Sequence, residues 1–268
     1  MAKVLEGPGM GLLGKWGLQT PDYVVVSSSD EFAQLASAND WLQKNKLVAK
    51  AHEALGSRFK LGLVKVGLDF SGAKAAVKEM LGKQVESVTI REVIVSEAID
   101  HSDEYYAAVK SVREGVEVMV ANCGGIEVEA NWDKVKRILV DIGEVPTDSV
   151  LASLAKDAGF SGGTATKMAE FLKKLFACFD NEDAQYLEIN PVVQNAAGDL
   201  VALDAVTLLD GDAKFRHKDW TFPFAAEFGR AYTENEKEVM AVDAKVKGSV
   251  KLIAVSYTHL TLPTSDLV

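Results

Sequence analysis

Leu187-Glu188-Ile189-Asn190-Pro191 and Asp204 put a carboxylate, an amide and a second carboxylate on two successive strand-like segments. Residues two apart on a strand share a face, so Glu188 and Asn190 point the same way. Asn195-Ala196-Ala197-Gly198-Asp199 between the segments reads as a hairpin-type turn. Such a hairpin can bring Asn190 and Asp204 side by side. A carboxylate plus an amide oxygen suits a hard cation that keeps waters and binds substrate phosphates, as Mg²⁺ does. The same residues would equally suit the solvated face of an exposed antiparallel sheet.

Three further groups carry possible chemistry. Lys50 ends a strand, and Gly56-Ser57-Arg58-Phe59-Lys60 follows before Gly62. Cations and glycines around a tight loop could hold a polyphosphate through side-chain charge and backbone N–H groups, or form an ordinary solvated hairpin. Glu97 and Glu104 flank a turn at Asp100-His101-Ser102-Asp103. Their carboxylates could accept hydrogen bonds from an adenine amino group or ribose hydroxyls, or simply face water. In Cys123-Gly124-Gly125-Ile126-Glu127-Val128-Glu129 the paired glycines allow an unusual backbone path and close approach of a partner, or a bulge. His52, His101, His217 and His259 lack a Ser or Cys partner in a recognisable motif, so a nucleophilic triad is not supported.

The elements that must position these groups alternate between helix and strand. Leu5 to Trp16, Ser29 to Trp41, Ser71 to Leu81, Asn131 to Ile138, Asp148 to Ala158 and Thr164 to Phe179 read as helices. Tyr23–Val26, Lys46–Lys50, Leu61–Val66, Val88–Ala98, Glu104–Ser111, Val116–Ala121, Tyr186–Val193 and Leu200–Leu208 read as strands. The order predicts an α/β (α+β) fold with mixed, largely antiparallel sheets. No Gly-x-Gly-x-x-Gly links a strand to a helix, and a Walker A motif is missing, which argues against a dinucleotide fold or a P-loop.

Composition narrows the class. The 268 residues are 48% hydrophobic, enough for a full core in one or two domains. Net charge is −10 with no basic patch, which speaks against nucleic-acid binding. No apolar run reaches the ~18 residues of a membrane span, and the N-terminus lacks a secretory pattern, so a cytoplasmic location is expected. Cys123 and Cys178 are too few for a disulfide framework or a zinc site.

Taken in order, the basic loop, the acidic pair, the Cys-Gly-Gly segment and the Glu-x-Asn…Asp hairpin resemble the ATP-grasp β-subunit of succinyl-CoA synthetases. They resemble ATP-citrate lyase more closely, over about residues 1 to 254. The resemblance implies an ATP-grasp fold in which Lys50, Arg58 and Lys60 contact ATP phosphates and Glu97 and Glu104 hold the nucleoside. It implies that Asn190 and Asp204 bind Mg²⁺. Glu188 would face the phosphohistidine loop of a companion large subunit that also carries the CoA site. Where succinyl-CoA synthetases favour Gly-Arg-Gly, this chain has Ser57-Arg58-Phe59, a departure toward the lyase branch.

By the same resemblance the chain is similar to the smaller subunit of the split bacterial enzyme found with the reductive citric acid cycle. The complete hetero-oligomer would use citrate, CoA and ATP. Expected boundaries are 1–218 for the ATP-grasp domain and 219–254 for a linker and the start of a truncated citrate-binding domain. Phe228-Gly229-Arg230, Asp243-Ala244-Lys245 and Ser249-Val250-Lys251-Leu252 carry the second part. Residues 255–268, beginning near Ser256-Tyr257-Thr258-His259, read as a non-native tail.

Overall fold

The computed structural model describes residues 2–56, 58–85, 88–225, 232–243, 245–246, 250 and 252–253. Ser57, Phe228-Gly229-Arg230, Ala244, Ser249, Lys251 and the 255–268 tail lie outside the described residues. The chain divides into two compact units, 1–229 and 230–268.

The first unit opens with β1 (Ala2–Val4), α1 (Glu6–Lys15), β2 (Tyr23–Val26), α2 (Ser29–Leu35), α3 (Trp41–Lys44), β3 (Leu47–Ala51), β4 (Val64–Leu68) and α4 (Phe70–Met80). It continues with β5 (Gln84–Val85), β6 (Val88–Thr89), β7 (Val93–Glu97), β8 (Glu104–Val112), β9 (Gly115–Ala121), α5 (Ile126–Ala130) and β10 (Lys136–Asp141). It closes with α6 (Asp148–Asp157), α7 (Gly162–Asn181), β11 (Ala184–Gln194), β12 (Leu200–Ala202) and β13 (Val206–Leu209).

Two larger antiparallel sheets result. The smaller runs β2-β7-β3-β4; the larger runs β1-β13-β11-β8-β9-β10, with β12 also on β11. Strand β7 is buried along Val93–Ser96, as its unbroken apolar run requires. Phe32, Leu42, Ala73, Val77 and Met80 pack with it on the small sheet. Period-2 alternation sends Val109, Val118, Val120, Leu187 and Ile189 into a second core with Leu151, Met168, Leu172 and Leu175 of α6 and α7. The opposite face of the large sheet carries Tyr106, Ala108 and Met119, with Tyr186 against them.

Four sequence expectations change. The strand expected over Val88–Ala98 is two: β6, paired with β5, and β7, in the small sheet. The helix expected from Ser29 through Trp41 is two pieces, and its cap is Ser28, whose Oγ accepts from the Glu31 amide at 3.1 Å. The helix expected over Asn131–Ile138 is a single 3₁₀ turn, Trp132–Lys134, followed by strand β10. There Ile138 and Val140 alternate inward against the α6 core, and pairing with β9 from Lys136↔Val120 to Asp141↔Gly115 supplies the hydrogen bonds. Finally, the strand expected over Leu200–Leu208 is interrupted at Leu203-Asp204-Ala205.

A buried acid locks α1 to the 211–225 segment. Glu182, 1% exposed, accepts from Lys15 Nζ at 2.6 Å, Trp16 Nε1 at 2.8 Å and Trp220 Nε1 at 2.8 Å. Burial, the largest influence, pushes its pKa up, but Lys15 and the two indoles outweigh it and hold the carboxyl below its ordinary value. A depressed carboxyl contributes stability above its unfolded pKa of about 4.3 and loses it as pH falls through the folded value. Glu182→Gln is therefore expected to lower stability at pH 7 by about 2 kcal/mol. The gap to wild type should close as pH drops below about 4.3, as followed by urea unfolding with tryptophan fluorescence. A gap that stays constant with pH would count against the ionised role.

The second unit contains α8 (Glu234–Asp243). A capping box starts it: the Thr233 amide donates to Glu236 Oε2 at 2.7 Å and the Glu236 amide to Thr233 Oγ1 at 3.3 Å. Among the described residues no helix is long and apolar enough to cross a membrane.

Candidate functional site

The cation groups meet the acidic hairpin where the two sheets approach. Lys50 lies near the end of β3, one of the two central strands of the small sheet. Its Nζ donates to the Leu203 carbonyl at 2.7 Å, one residue before Asp204. It also donates to Glu6 Oε1 at 2.7 Å. Arg58, from the loop between β3 and β4, turns inward. Its Nη1 donates to the Ala51 carbonyl at 3.0 Å, and Nη2 reaches Asp204 Oδ1 and Oδ2 at 3.0 and 2.8 Å. The same Nη2 lies 2.6 Å from Glu6 Oε2.

Glu6 enters the cluster because the first turn of α1 packs tightly. The Gly7 amide donates to His52 Nε2 at 3.0 Å, and a Cβ at Gly9 would come within 2.9 Å of Thr207 Oγ1. His52, buried, uses Nδ1 on Glu92 at 2.9 Å and is a structural residue. Electrostatics follow the geometry. Burial lowers the pKa of Arg58, yet the Glu6 and Asp204 carboxylates outweigh it and the guanidinium titrates above its ordinary value. Burial pushes Asp204 up, but the Lys50 and Arg58 charges and the Ala205 amide pull the carboxyl below the usual range. Nearby Lys3 is lowered by burial and by Arg58, a sign of crowded positive charge.

Asn190 and Asp204 are set against each other by register. Glu188 pairs with Val206 and Val192 with Ala202, and Leu203 N donates to the Pro191 carbonyl at 3.1 Å, so one continuous register spans the interruption. The pairing of β11 with β8 shifts between Ile189 and Val192. Pro191 has no N–H to give the ladder there. Asn190 Oδ1 accepts from the Gly125 amide at 2.6 Å. Gly125 sits at φ +59, and an added Cβ would strike Glu104 Oε2 at 1.9 Å; one at Gly124 would strike the Tyr105 carbonyl at 2.4 Å. The paired glycines thus serve a close backbone crossing.

Glu188 lies on the same face as Asn190 and is held by two hydroxyls. Tyr106 donates to Oε2 at 3.1 Å and Tyr186 donates to the same oxygen. Ala108 stands opposite Glu188, so Tyr106 is its diagonal neighbour. Burial and the Glu188 charge raise both tyrosine pKa values. A cleft of about 610 Å³ opens beside them, lined among others by Lys110, Met119, Trp132, Arg137 and Tyr186.

Lys50, Arg58 and Asp204 are therefore brought together, with Asn190 and Glu188 along the adjoining strand. Glu97 and Glu104 end up on different sheets. Glu97 closes β7 and accepts from Asn45 Nδ2 at 2.7 Å; Glu104 opens β8, exposed, with His101 Nε2 at 3.5 Å. Lys60 is exposed on the loop. Sequence reasoning missed Glu6, Tyr106 and Tyr186. Glu6 left one signal, an acid in the first turn of a glycine-rich helix, where glycines mark close packing.

The donors fit a magnesium ion carried by phosphates. One ionised carboxylate and one amide oxygen match its habit of taking one or two protein ligands and filling the rest with water and phosphate. Among the described residues no cluster of three or more His, Cys, Asp or Glu forms an all-protein cage.

Comparison with known proteins gives the family. The sequence profile of the ATP-citrate synthase ATP-grasp domain matches residues 13–220. The chain is 35% identical over 234 residues to ATP-citrate synthase alpha chain protein 1 of Arabidopsis thaliana, covering 85% of this chain and 55% of that one. It is 30% identical over 263 residues to the succinate–CoA ligase [ADP-forming] subunit beta of Halobacterium salinarum, covering 94% and 66%. The structure of ATP citrate lyase from Methanothrix soehngenii in complex with citrate and coenzyme A superposes with a TM-score of 0.78 at 25% identity, covering 93% of this chain and 62% of that one. The chain thus spans about half the length of the plant relatives. Its antiparallel sheets and the helices on them have the ATP-grasp fold, and the chain belongs to the ATP-citrate synthase ATP-grasp domain family.

Proposed function

We propose that this chain is the ATP-handling part of an ATP-citrate lyase. The observation that carries the reading is the meeting of Lys50 and Arg58 with Asp204, opposite Asn190, at the junction of the two sheets. Lys50 and Arg58 offer positive charge to a triphosphate, Lys60 adds charge from the loop, and Glu97 and Glu104 flank the connection that would take the nucleoside. Asn190 and Asp204 would hold Mg²⁺, which when bound neutralises phosphate charge. The chain's own work is positioning, since phosphoryl transfer needs an aligned nucleophile more than covalent help.

Glu188, fixed by Tyr106 and Tyr186, faces the place where a histidine-bearing segment of a companion large subunit would receive the phosphoryl group. The companion would supply the CoA site. Citrate, CoA and ATP would become acetyl-CoA, oxaloacetate, ADP and phosphate through phosphohistidine, citryl phosphate and citryl-CoA. A cytoplasmic hetero-oligomer is the setting that fits, with the citrate-binding part following residue 218.

A second reading, a β-subunit of a succinyl- or citryl-CoA synthetase, is favoured by the 94% coverage of this chain in the Halobacterium salinarum alignment. It shares the ATP site and differs in the acid activated and in lacking cleavage. The test is a thermal melt with and without Mg-ATP, followed by an assay of citrate cleavage. Mg-ATP should raise the melting temperature, and the isolated chain should cleave no citrate. Cleavage by the chain alone, or no shift with nucleotide, would overturn the reading.

A further inference from the structure

The cluster contains one guanidinium nitrogen shared by two carboxylates of unequal exposure. Arg58 Nη2 lies 2.6 Å from Glu6 Oε2 and 2.8 Å from Asp204 Oδ2. The Glu6 side chain is 3% exposed and Asp204 30%. We infer that Arg58 is a two-station residue: it occupies Asp204 as a resident cation until a polyphosphate draws it off, while Glu6 keeps it tethered in the cluster. The inference rests on the proposed metal role of Asp204 and adds a reason for binding order.

Both Asp204 oxygens accept from Arg58, and Oδ1 also accepts from the Ala205 amide at 2.8 Å. A divalent cation arriving alone must therefore displace a hydrogen-bonded guanidinium and enter beside Lys50 and Arg58, both positive and each with its side chain 11% exposed. That approach is repulsive. A polyphosphate changes the balance, because it offers Arg58 new acceptors in a geometry that a guanidinium matches well. Glu6 is the station Arg58 keeps. It is closed to water, it also holds Lys50 at 2.7 Å, and it sits on a helix turn fixed by His52. Asp204 is the station it leaves, because only that carboxylate opens to solvent. Metal and nucleotide affinity are then coupled through one side chain, and by linkage each tightens the other.

The test is Mn²⁺ binding to the nucleotide-free chain, read by electron paramagnetic resonance, with circular dichroism melts to establish folding. Arg58→Gln should raise Mn²⁺ affinity about tenfold over wild type, and adding Asp204→Asn should return it to the wild-type level. Arg58→Lys, which keeps the charge and loses the planar fork, serves if the glutamine variant fails to fold and should give a smaller rise. Unchanged affinity in the folded Arg58 variants, with Mn-ATP binding still dependent on Asp204, would overturn the two-station role and leave the metal reading standing. Mn-ATP binding that ignores Asp204→Asn in the wild-type background would remove the metal reading, and the inference with it.

Discussion

Asp204→Ala is expected to weaken Mg-dependent ATP binding about 100-fold. The side chain holds Arg58 at 2.8 and 3.0 Å and faces Asn190 across the hairpin. Truncation removes the one carboxylate proposed to hold Mg²⁺ beside the phosphates; at about 3 kcal/mol, the order found when one partner of a hydrogen-bonded charge pair is truncated, that corresponds to roughly two decades in affinity. Isothermal titration with a non-hydrolysable ATP analogue measures it. The same titration in EDTA separates the two roles of the residue. There the variant should bind the analogue at least as well as wild type, because Arg58 is released toward the phosphates. A variant with unchanged affinity in Mg²⁺ would overturn the metal assignment, and a parallel loss in EDTA would recast Asp204 as a structural partner of Arg58.

Glu6→Gln is expected to have the largest effect on stability. Glu6 is 3% exposed, and the side chains of Lys50 and Arg58 that it neutralises are each 11% exposed. Breaking such a cluster leaves buried charge uncompensated, at about 3 kcal/mol. That is a large fraction of the ~5–15 kcal/mol that holds a domain folded. Urea unfolding checks the value. Inorganic tripolyphosphate should restore more melting temperature to the variant than to wild type, because it supplies the missing negative charge to Lys50 and Arg58. A loss below about 1 kcal/mol would be that of a solvent-screened surface pair and would count against the cluster as a buried unit.

Much of the fold was legible because it is written locally. Tyr23–Val26 is a strand to the residue, and the run of Met168, Phe171, Leu172, Leu175 and Phe179 at helical spacing is buried on α7. The 195–199 turn joins β11 to β12. Glu188 and Asn190 share the face opposite the buried Leu187 and Ile189. The errors lie where local pattern is ambiguous. Lys136–Asp141 is short, charged at both ends and preceded by a helical turn; pairing with β9 decides it.

The sequence by itself determined the residue types and their order: two cations, two acids flanking a turn, a Gly-Gly pair and an acidic hairpin. Those depend on side-chain chemistry and on the two-residue period of strands, both readable along the chain. Only the tertiary structure decided that Lys50 reaches across to Leu203 and that Arg58 turns inward to Asp204. It alone brought in Glu6, 44 residues from Lys50, as their shared counter-ion. The physical reason is that charges interact through space and through burial. Sequence spacing fixes which face a carboxylate occupies, while the packing of α1 between two sheets fixes which cations it must neutralise.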